Sequence, residues 1–347
     1  MTKVLRIVAL TLLLIPACLS AQTDSESYSK QVVEPQDTTL LNKVWDYAEY
    51  CYDQRRYEEA EKYYLIYKRG NTGVSVQEGA VCQNLGNLMC DMMQYDRAEA
   101  YYREALMHYD ALHDDDQETF FYYISRTQGN LGILLTSLKK YDEAETFLIK
   151  SLHNRERLYT INPVRYRSDL AQAQDYLATL YFKTGDMVKS EKNYLKAIRH
   201  LSKIDRPTVE QAIEKANVQA NLGILYKRLD RKEEAEAYCK DAIATYEMLY
   251  KVIPEWVRPD YATSLENLGN FYYELGLNKE AINCYNQAFE LREILYKTNS
   301  DVYDTQYKVL KQRIEELASK VTTDFLPLHE LIRPTNASLY ACAGHRL

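Results

Sequence analysis

Residues 84–106 read NLGNLMCDMMQYDRAEAYYREAL, and the order of small, apolar and aromatic residues in this stretch decides the fold. Leu85-Gly86 is followed by Met89, Tyr95, Ala98, Tyr102 and Ala105, at spacings that group small and large side chains on one face of each of two helices. The same order returns downstream. Leu131-Gly132 precedes Leu135, Tyr141, Ala144, Leu148 and Ser151, and Leu177-Ala178 precedes Tyr181, Met187, Ser190, Tyr194 and Ala197. Leu222-Gly223 leads to Tyr226, Lys232, Ala235, Cys239 and Ala242, and Leu268-Gly269 to Tyr272, Asn278, Ala281, Tyr285 and Ala288. A weaker first copy, Tyr47-Ala48, Cys51, Tyr57, Ala60, Tyr64 and Tyr67, brings the number to six.

Antiparallel helices approach closely only where a side chain is small. Gly86, Gly132, Gly223 and Gly269, with Ala48 and Ala178, serve the first helix of each copy; Ala60, Ala98, Ala144, Ala235 and Ala281, with Ser190, serve the second. Gly185 and Gly276 sit at the turn between helices, so six of the 11 glycines occupy fixed repeat positions. From one glycine position to the next the separation is 46, 46, 45 and 46 residues from position 86 onward. These copies resemble the tetratricopeptide repeat, whose signature runs Trp-x2-Leu-Gly-x2-Tyr, then Ala-x3-Phe, then Pro, with a period of about 34. The longer period is similar to that of kinesin light chains and many bacterial tetratricopeptide proteins, and the resemblance covers residues 38–298. It implies an all-α, right-handed α-solenoid of stacked antiparallel helix pairs. About twelve extra residues per copy lengthen each helix by about six, or roughly 9 Å at 1.5 Å per residue. The added material lies at residues 108–126, 159–174, 203–217 and 250–265, where Pro163, Pro207, Pro254 and Pro259 are expected to end one helix or start the next.

The flanks read differently. Residues 1–21 combine Lys3 and Arg6, an apolar run over 7–14 and a Pro16 break before small residues, the form of a secretory signal peptide. The run is too short for a transmembrane span. Two processing routes compete: cleavage after Ala21, or acylation at Cys18, because Ile15-Pro16-Ala17-Cys18 loosely resembles a lipobox although Ile15 and Pro16 fit it poorly. Residues 22–37 read as a linker. Export to the periplasm or outer-membrane surface is expected, with no transmembrane segment after leader cleavage. Residues 301–320 place Leu310, Ile314 and Leu317 on one helical face and are expected to cap the last repeat. The stretch 321–347 loses the pattern; a loosely docked tail is expected, with a truncated gene as the alternative.

Composition narrows the function classes. The 347 residues carry 43 Lys plus Arg against 50 Asp plus Glu, a net charge of -7 that gives no electrostatic reason to expect nucleic acid or an anionic membrane as partner. Thirty-two tyrosines beside only 11 glycines and 8 prolines favour helices packed through bulky side chains. Of the seven cysteines, Cys51 and Cys239 fall on positions that are apolar in other copies, which favours core thiols over disulfides, the alternative for an exported chain.

Catalytic motifs are absent from the sequence. There is no glycine-rich dinucleotide or phosphate loop and no Cys-x2-Cys. Gly73-Val74-Ser75-Val76-Gln77 fails the nucleophile elbow at its last position, and His329-Glu330-Leu331-Ile332-Arg333 fails the zinc motif at its second histidine. His113 beside Asp114, Asp115 and Asp116 reads as a solvated inter-helix turn, with attraction of a cation as the alternative. No catalytic role, cofactor or metal is expected.

What remains is a surface. Asparagine recurs two residues before the repeat glycine, at Asn84, Asn130, Asn221 and Asn267, with Asp46 and Tyr176 in the other copies; Asn87 and Asn270 share that face. The family resemblance implies that this face lines a concave groove, where an amide both donates to and accepts from an extended peptide backbone. The alternative is that the amides bond only within and between neighbouring helices. Trp45, Tyr52, Phe182 and Tyr273 are candidate apolar contacts, and Lys183, Lys227 and Arg228 candidate contacts to carboxylates. The basic group is confined to the middle repeats and does not reproduce the full carboxylate clamp of some family members. The expectation is a non-catalytic protein- or peptide-binding scaffold of a bacterial cell envelope. A sensory or regulatory portion of a truncated signalling protein, or a glycan or small-ligand binder, are the alternatives.

Overall fold

A computed structural model describes residues 38–71, 76–111 and 117–322. The expected leader, linker, Cys18 acylation site and His113 turn, and the tail from residue 323 on, lie outside the described residues. Among the described residues there are thirteen helices and no strand. They are α1 (Thr38–Asp53), α2 (Tyr57–Gly70), α3 (Val76–Asp91), α4 (Tyr95–Asp110), α5 (Gln117–Ser137), α6 (Tyr141–Ile161), α7 (Arg167–Thr184), α8 (Met187–Leu201), α9 (Val209–Arg228), α10 (Lys232–Tyr250), α11 (Pro254–Glu274), α12 (Asn278–Thr298) and α13 (Ser300–Thr322). Each sequence copy thus supplies one helix pair, and α13 follows the sixth. The chain divides after Leu158, within α6, into two compact units.

In the first unit, Leu85, Leu88 and Met89 of α3 and Ala98, Tyr102 and Ala105 of α4 are buried. Burying each large apolar side chain contributes roughly 1.5–3 kcal/mol before chain entropy is set against it. The small residue at the repeat glycine position makes this packing feasible. A Cβ on Gly86 would lie 2.6 Å from the Tyr102 ring, and one on Gly132 2.5 Å from Leu148. The second unit repeats the contact: a Cβ on Gly269 would lie 2.6 Å from the Tyr285 ring, and one on Gly223 would press on Cys239 and come within 3.2 Å of the Ala235 carbonyl oxygen. In every case the neighbour is the residue sixteen positions on, or its own turn.

The turn inside each pair is equally regular. Arg55, Met93, Lys139, Gly185, Asp230 and Gly276, each seven residues past the glycine position, have φ of 57°, 58°, 60°, 90°, 56° and 75°. In all but the Gly185 turn the next residue's N–H then reaches the carbonyl five residues back: Arg56 to Cys51 at 2.9 Å, Gln94 to Met89 at 2.8 Å, Lys140 to Leu135 at 2.9 Å, Arg231 to Tyr226 at 2.9 Å and Leu277 to Tyr272 at 2.9 Å. A left-handed residue with this backbone bond closes the first helix and reverses the chain.

Two expectations need correction. Lengthening by about six residues per helix fits α5, α6, α11 and α12, at 21 residues each, but neither the first two pairs, at 14 to 16 residues, nor the fourth, where α7 has 18 and α8 has 15. There the extra residues form the connections 162–166 and 202–208, around Pro163 and Pro207. Pro259, expected at a junction, lies inside α11, whereas Pro254 starts that helix. Pro259 forfeits a bond to the Glu255 carbonyl, but the turn is braced by the Arg258 guanidinium, which donates to both Glu255 carboxylate oxygens at 2.8 and 2.9 Å.

Cys51, Cys82, Cys90, Cys239 and Cys284 are free thiols, all buried except Cys90. Burial pushes the Cys239 and Cys284 thiols up to about 11. Leu310, Ile314 and Leu317 of α13 are buried in the second unit's core. No described helix is long and apolar enough to cross a membrane.

Candidate functional site

On the first helix of each pair, the residues two before and one, four and five after the repeat glycine position share one face. They form two rows. In the inner row, Asn84 Nδ2 donates to Glu49 Oε1 at 2.6 Å, and the Tyr64 hydroxyl donates to the same oxygen at 2.7 Å. One pair further on, Asn130 Nδ2 and the Tyr102 hydroxyl both donate to Asn87 Oδ1, at 2.9 and 2.8 Å. At the end of the second unit, Arg313 Nη1 and the Tyr285 hydroxyl donate to Asn270 Oδ1 at 2.5 and 2.8 Å. Arg313 lies 46 residues after Asn267 and so continues the asparagine row into α13. Asn221 donates instead to Asp175 Oδ1, at 3.4 Å. Asn267 is half-buried in the same row. Asn84, Asn130 and Asn221 therefore direct amide hydrogens to the preceding pair, while Asn87 and Asn270 each accept two.

The half-buried acids of this row are displaced in pKa. Burial raises the Glu49 carboxyl, the Tyr64 and Asn84 bonds opposing it and Asp53 and Asp46 adding to it. Burial carries Asp175 up to about 6, with the bond from Asn221 opposing.

The outer row joins the residue four after the glycine position to the one five after it in the next pair. The Tyr52 hydroxyl donates to Asp91 Oδ2 at 2.5 Å, the Arg228 guanidinium lies 5.2 Å from the Phe182 ring centroid, and Lys227 Nζ stands 2.7 Å from Glu274 Oε1. Lys183 and Tyr273 are exposed on this row. Trp45 turns onto its own pair, edge-on to Tyr67 at 4.9 Å and Tyr64 at 5.8 Å. The face is acidic in the first unit, with Asp46, Glu49, Asp53 and Asp91, and carries Lys183, Lys227 and Arg228 in the second. It offers cations, rings and amides.

Sequence reasoning missed Glu49, Asp175 and Arg313. Glu49 had a signal in its register, since it aligns with Asn87 and Asn270. It missed a further row along the second helices and the turns that lead into them as well: Glu61 meets Arg97 at 2.5 Å, Glu99 meets Lys140 at 2.8 Å, and Glu191 meets Arg231 at 2.6 Å.

Antiparallel pairs joined by one recurrent left-handed turn, with linked first-helix faces, define an α-helical repeat protein. Tetratricopeptide-repeat sequence profiles match residues 125–160, 169–248 and 262–300, the first and last with the kinesin-light-chain type, so these stretches are tetratricopeptide repeats. No curated protein matches the sequence. Among solved structures it is similar to BtubC (BKLC) from P. vanneervenii, with TM-score 0.50 and 18% identity over 74% of this chain and 92% of that one. A Rap protein complexed with competence and sporulation factor aligns with TM-score 0.51 and 13% identity over 82% and 76%. NprR in complex with its cognate peptide NprX aligns with TM-score 0.55 and 12% identity over 95% and 81%. At these identities the likeness concerns the fold.

Proposed function

We propose that the chain is a non-catalytic scaffold whose first-helix face holds an extended protein segment, and that the outer row of the second unit supplies the contacts. The reading is carried by the exposed Lys183 and Tyr273 beside the Phe182–Arg228 stack and Lys227, on three successive first helices. Neighbouring helices lie roughly 8–10 Å apart, and an extended chain rises about 3.3 Å per residue. Every third side chain of such a segment meets a new helix. Rings and cations in that series suit a segment with an acidic residue or terminal carboxylate flanked by apolar ones. Tetratricopeptide-repeat proteins are generally scaffolds, and the NprR structure holds a peptide, which supports the same reading here. The leader-like residues 1–21 support a setting in the cell envelope, with Cys18 as the point of any lipid anchor; the mass of the mature N-terminus distinguishes acylated Cys18 from free Gln22.

The test is selection of a random-peptide display library on the full chain, followed by affinity measurement with the enriched peptides. Phe182→Ala and Arg228→Ala are expected to weaken binding about tenfold or more each, as interface anchors do. The fourfold variant Asn84→Ala, Asn130→Ala, Asn221→Ala and Asn267→Ala separates direct amide recognition from a face held in shape by its own bonds. No enrichment, or affinity untouched by both single substitutions in a folded chain, would overturn the proposal.

A further inference from the structure

We infer a binding site for a zinc-class divalent cation within the second helix pair, formed by Cys82, Glu104 and His108. The Cys82 sulfur, a Glu104 carboxylate oxygen and a His108 ring nitrogen all lie within 4.8 Å of one another. Their origin is regular. Glu78 and Cys82 are four residues apart on α3, and Glu104 and His108 are four apart on the antiparallel α4, so each helix presents two donors one turn apart to the same point. His108 Nδ1 lies 3.2 Å from Glu78 Oε2, and His108 Nε2 lies 3.9 Å from Glu104 Oε1. Glu78 is placed to accept a hydrogen bond from an Nδ1–H, the tautomer that leaves Nε2 for the ion. A carboxylate in that role is the usual support of a metal-bound histidine. Cys82 contributes a buried sulfur.

The donor set selects the ion. One sulfur, one imidazole nitrogen and one carboxylate oxygen suit Zn2+ and its spectroscopic stand-in Co2+, and disfavour Mg2+ and Ca2+, which take oxygen alone. Three protein ligands leave the fourth tetrahedral position to water. Binding replaces the Cys82 S–H bond with an S–metal bond, and the proton leaves to solvent. A positive charge is already accommodated beside these donors: Lys68 Nζ stands 2.8 and 2.7 Å from the two Glu104 oxygens. Lys68 competes with the ion for Glu104, and its removal is expected to tighten binding. An ion held here ties α3 to α4 and places a chemical control inside the repeat array.

The full chain, reduced and freed of metal with chelator, is titrated with Co2+. One equivalent is expected to produce a thiolate-to-cobalt charge-transfer band in the near ultraviolet, which Zn2+ abolishes by displacement. Cys82→Ser is expected to remove the band, His108→Gln and Glu104→Gln to weaken binding at least tenfold, and Glu78→Gln to weaken it about 10- to 100-fold while keeping the band. Lys68→Met is expected to bind more tightly than the parent. His108 and Glu104 are half-buried, so their variants keep the test decisive should Cys82→Ser fail to fold. Absence of the band in the parent chain, or a band unchanged by His108→Gln and Glu104→Gln, would show that the cluster is only an ion-paired network and overturn the site.

Discussion

Met93 shows how a fold imposes a conformation on a residue that does not favour it. Its φ of 58° is left-handed, a region that costs an L side chain about 1–2 kcal/mol. Its side chain is 66% exposed, so little packing is gained in return. Met93→Gly is therefore expected to stabilise the protein by about 0.5–1 kcal/mol after glycine's greater unfolded-state entropy is counted, and Gly185→Ala to destabilise it by a similar amount. Urea denaturation of both variants checks the pair, and a destabilised Met93→Gly would refute the assignment of strain. The sequence marks this turn at Gly185 and Gly276 and weakly at Asp230, because Arg55, Met93 and Lys139 carry no turn signature. Helix geometry sets that conformation, and only the structure exposes it. Asp175 gives a second residue-scale test. Its folded-state pKa of about 6 lies above its ordinary 3.8, so between those values the folded protein binds more protons than the unfolded. Stability contributed by the neutral acid is complete below about pH 4 and is lost as pH rises through 6. Asp175→Asn keeps an acceptor for Asn221 and carries no charge. It is expected to match the parent at pH 4 and to exceed its stability by up to about 3 kcal/mol at pH 7. Parallel pH profiles of the two proteins would refute it.

Between helices, the inner row joins residues that the repeat keeps in register. Asn87 Oδ1 receives both the Tyr102 hydroxyl and the Asn130 amide, so Asn87→Ala removes an acceptor that two helices share and is expected to cost about 1–3 kcal/mol. The third copy has Ile133 and Leu148 at the positions of Asn87 and Tyr102, an apolar pairing at the same place. The double variant Asn87→Ile with Tyr102→Leu is accordingly expected to cost less than the sum of its single substitutions, with a coupling of about 1 kcal/mol in a double-mutant cycle. Strict additivity would show that the bond does not join the two helices. The asparagine face was legible because a Leu-Gly step fixes the register of each first helix. The acceptors were not, since which side chain lies opposite Asn84 or Asn130 depends on how one pair rests on the next. For the same reason the Cys82, Glu104 and His108 cluster leaves no motif: its donors come from two helices, 22 residues apart at the nearest, and converge only when the helices pair antiparallel.

For the array as a whole, stability is a sum of terms within pairs and between neighbours, so an end helix matters beyond its own length. In α13, Leu310, Ile314 and Leu317 are buried, and the Tyr307 ring stacks on Tyr296 at 4.7 Å and on Phe289 at 5.0 Å, both from α12. The apolar face of this helix was readable from its spacing; the Arg313 bond to Asn270 was not, because α13 lacks the Leu-Gly step that marks the row. Replacing Leu310 and Leu317 by alanine is expected to cost about 2–5 kcal/mol per site. In a nearest-neighbour array that loss falls unevenly. Amide hydrogen exchange of the double variant should quicken most in α13 and α12, less in α11, and least in α9 and α10, because each further helix must open against one more intact interface. A single cooperative core would instead lower protection equally across α9 to α13, and that uniform loss would refute the view of α13 as a cap on a stack of separable pairs.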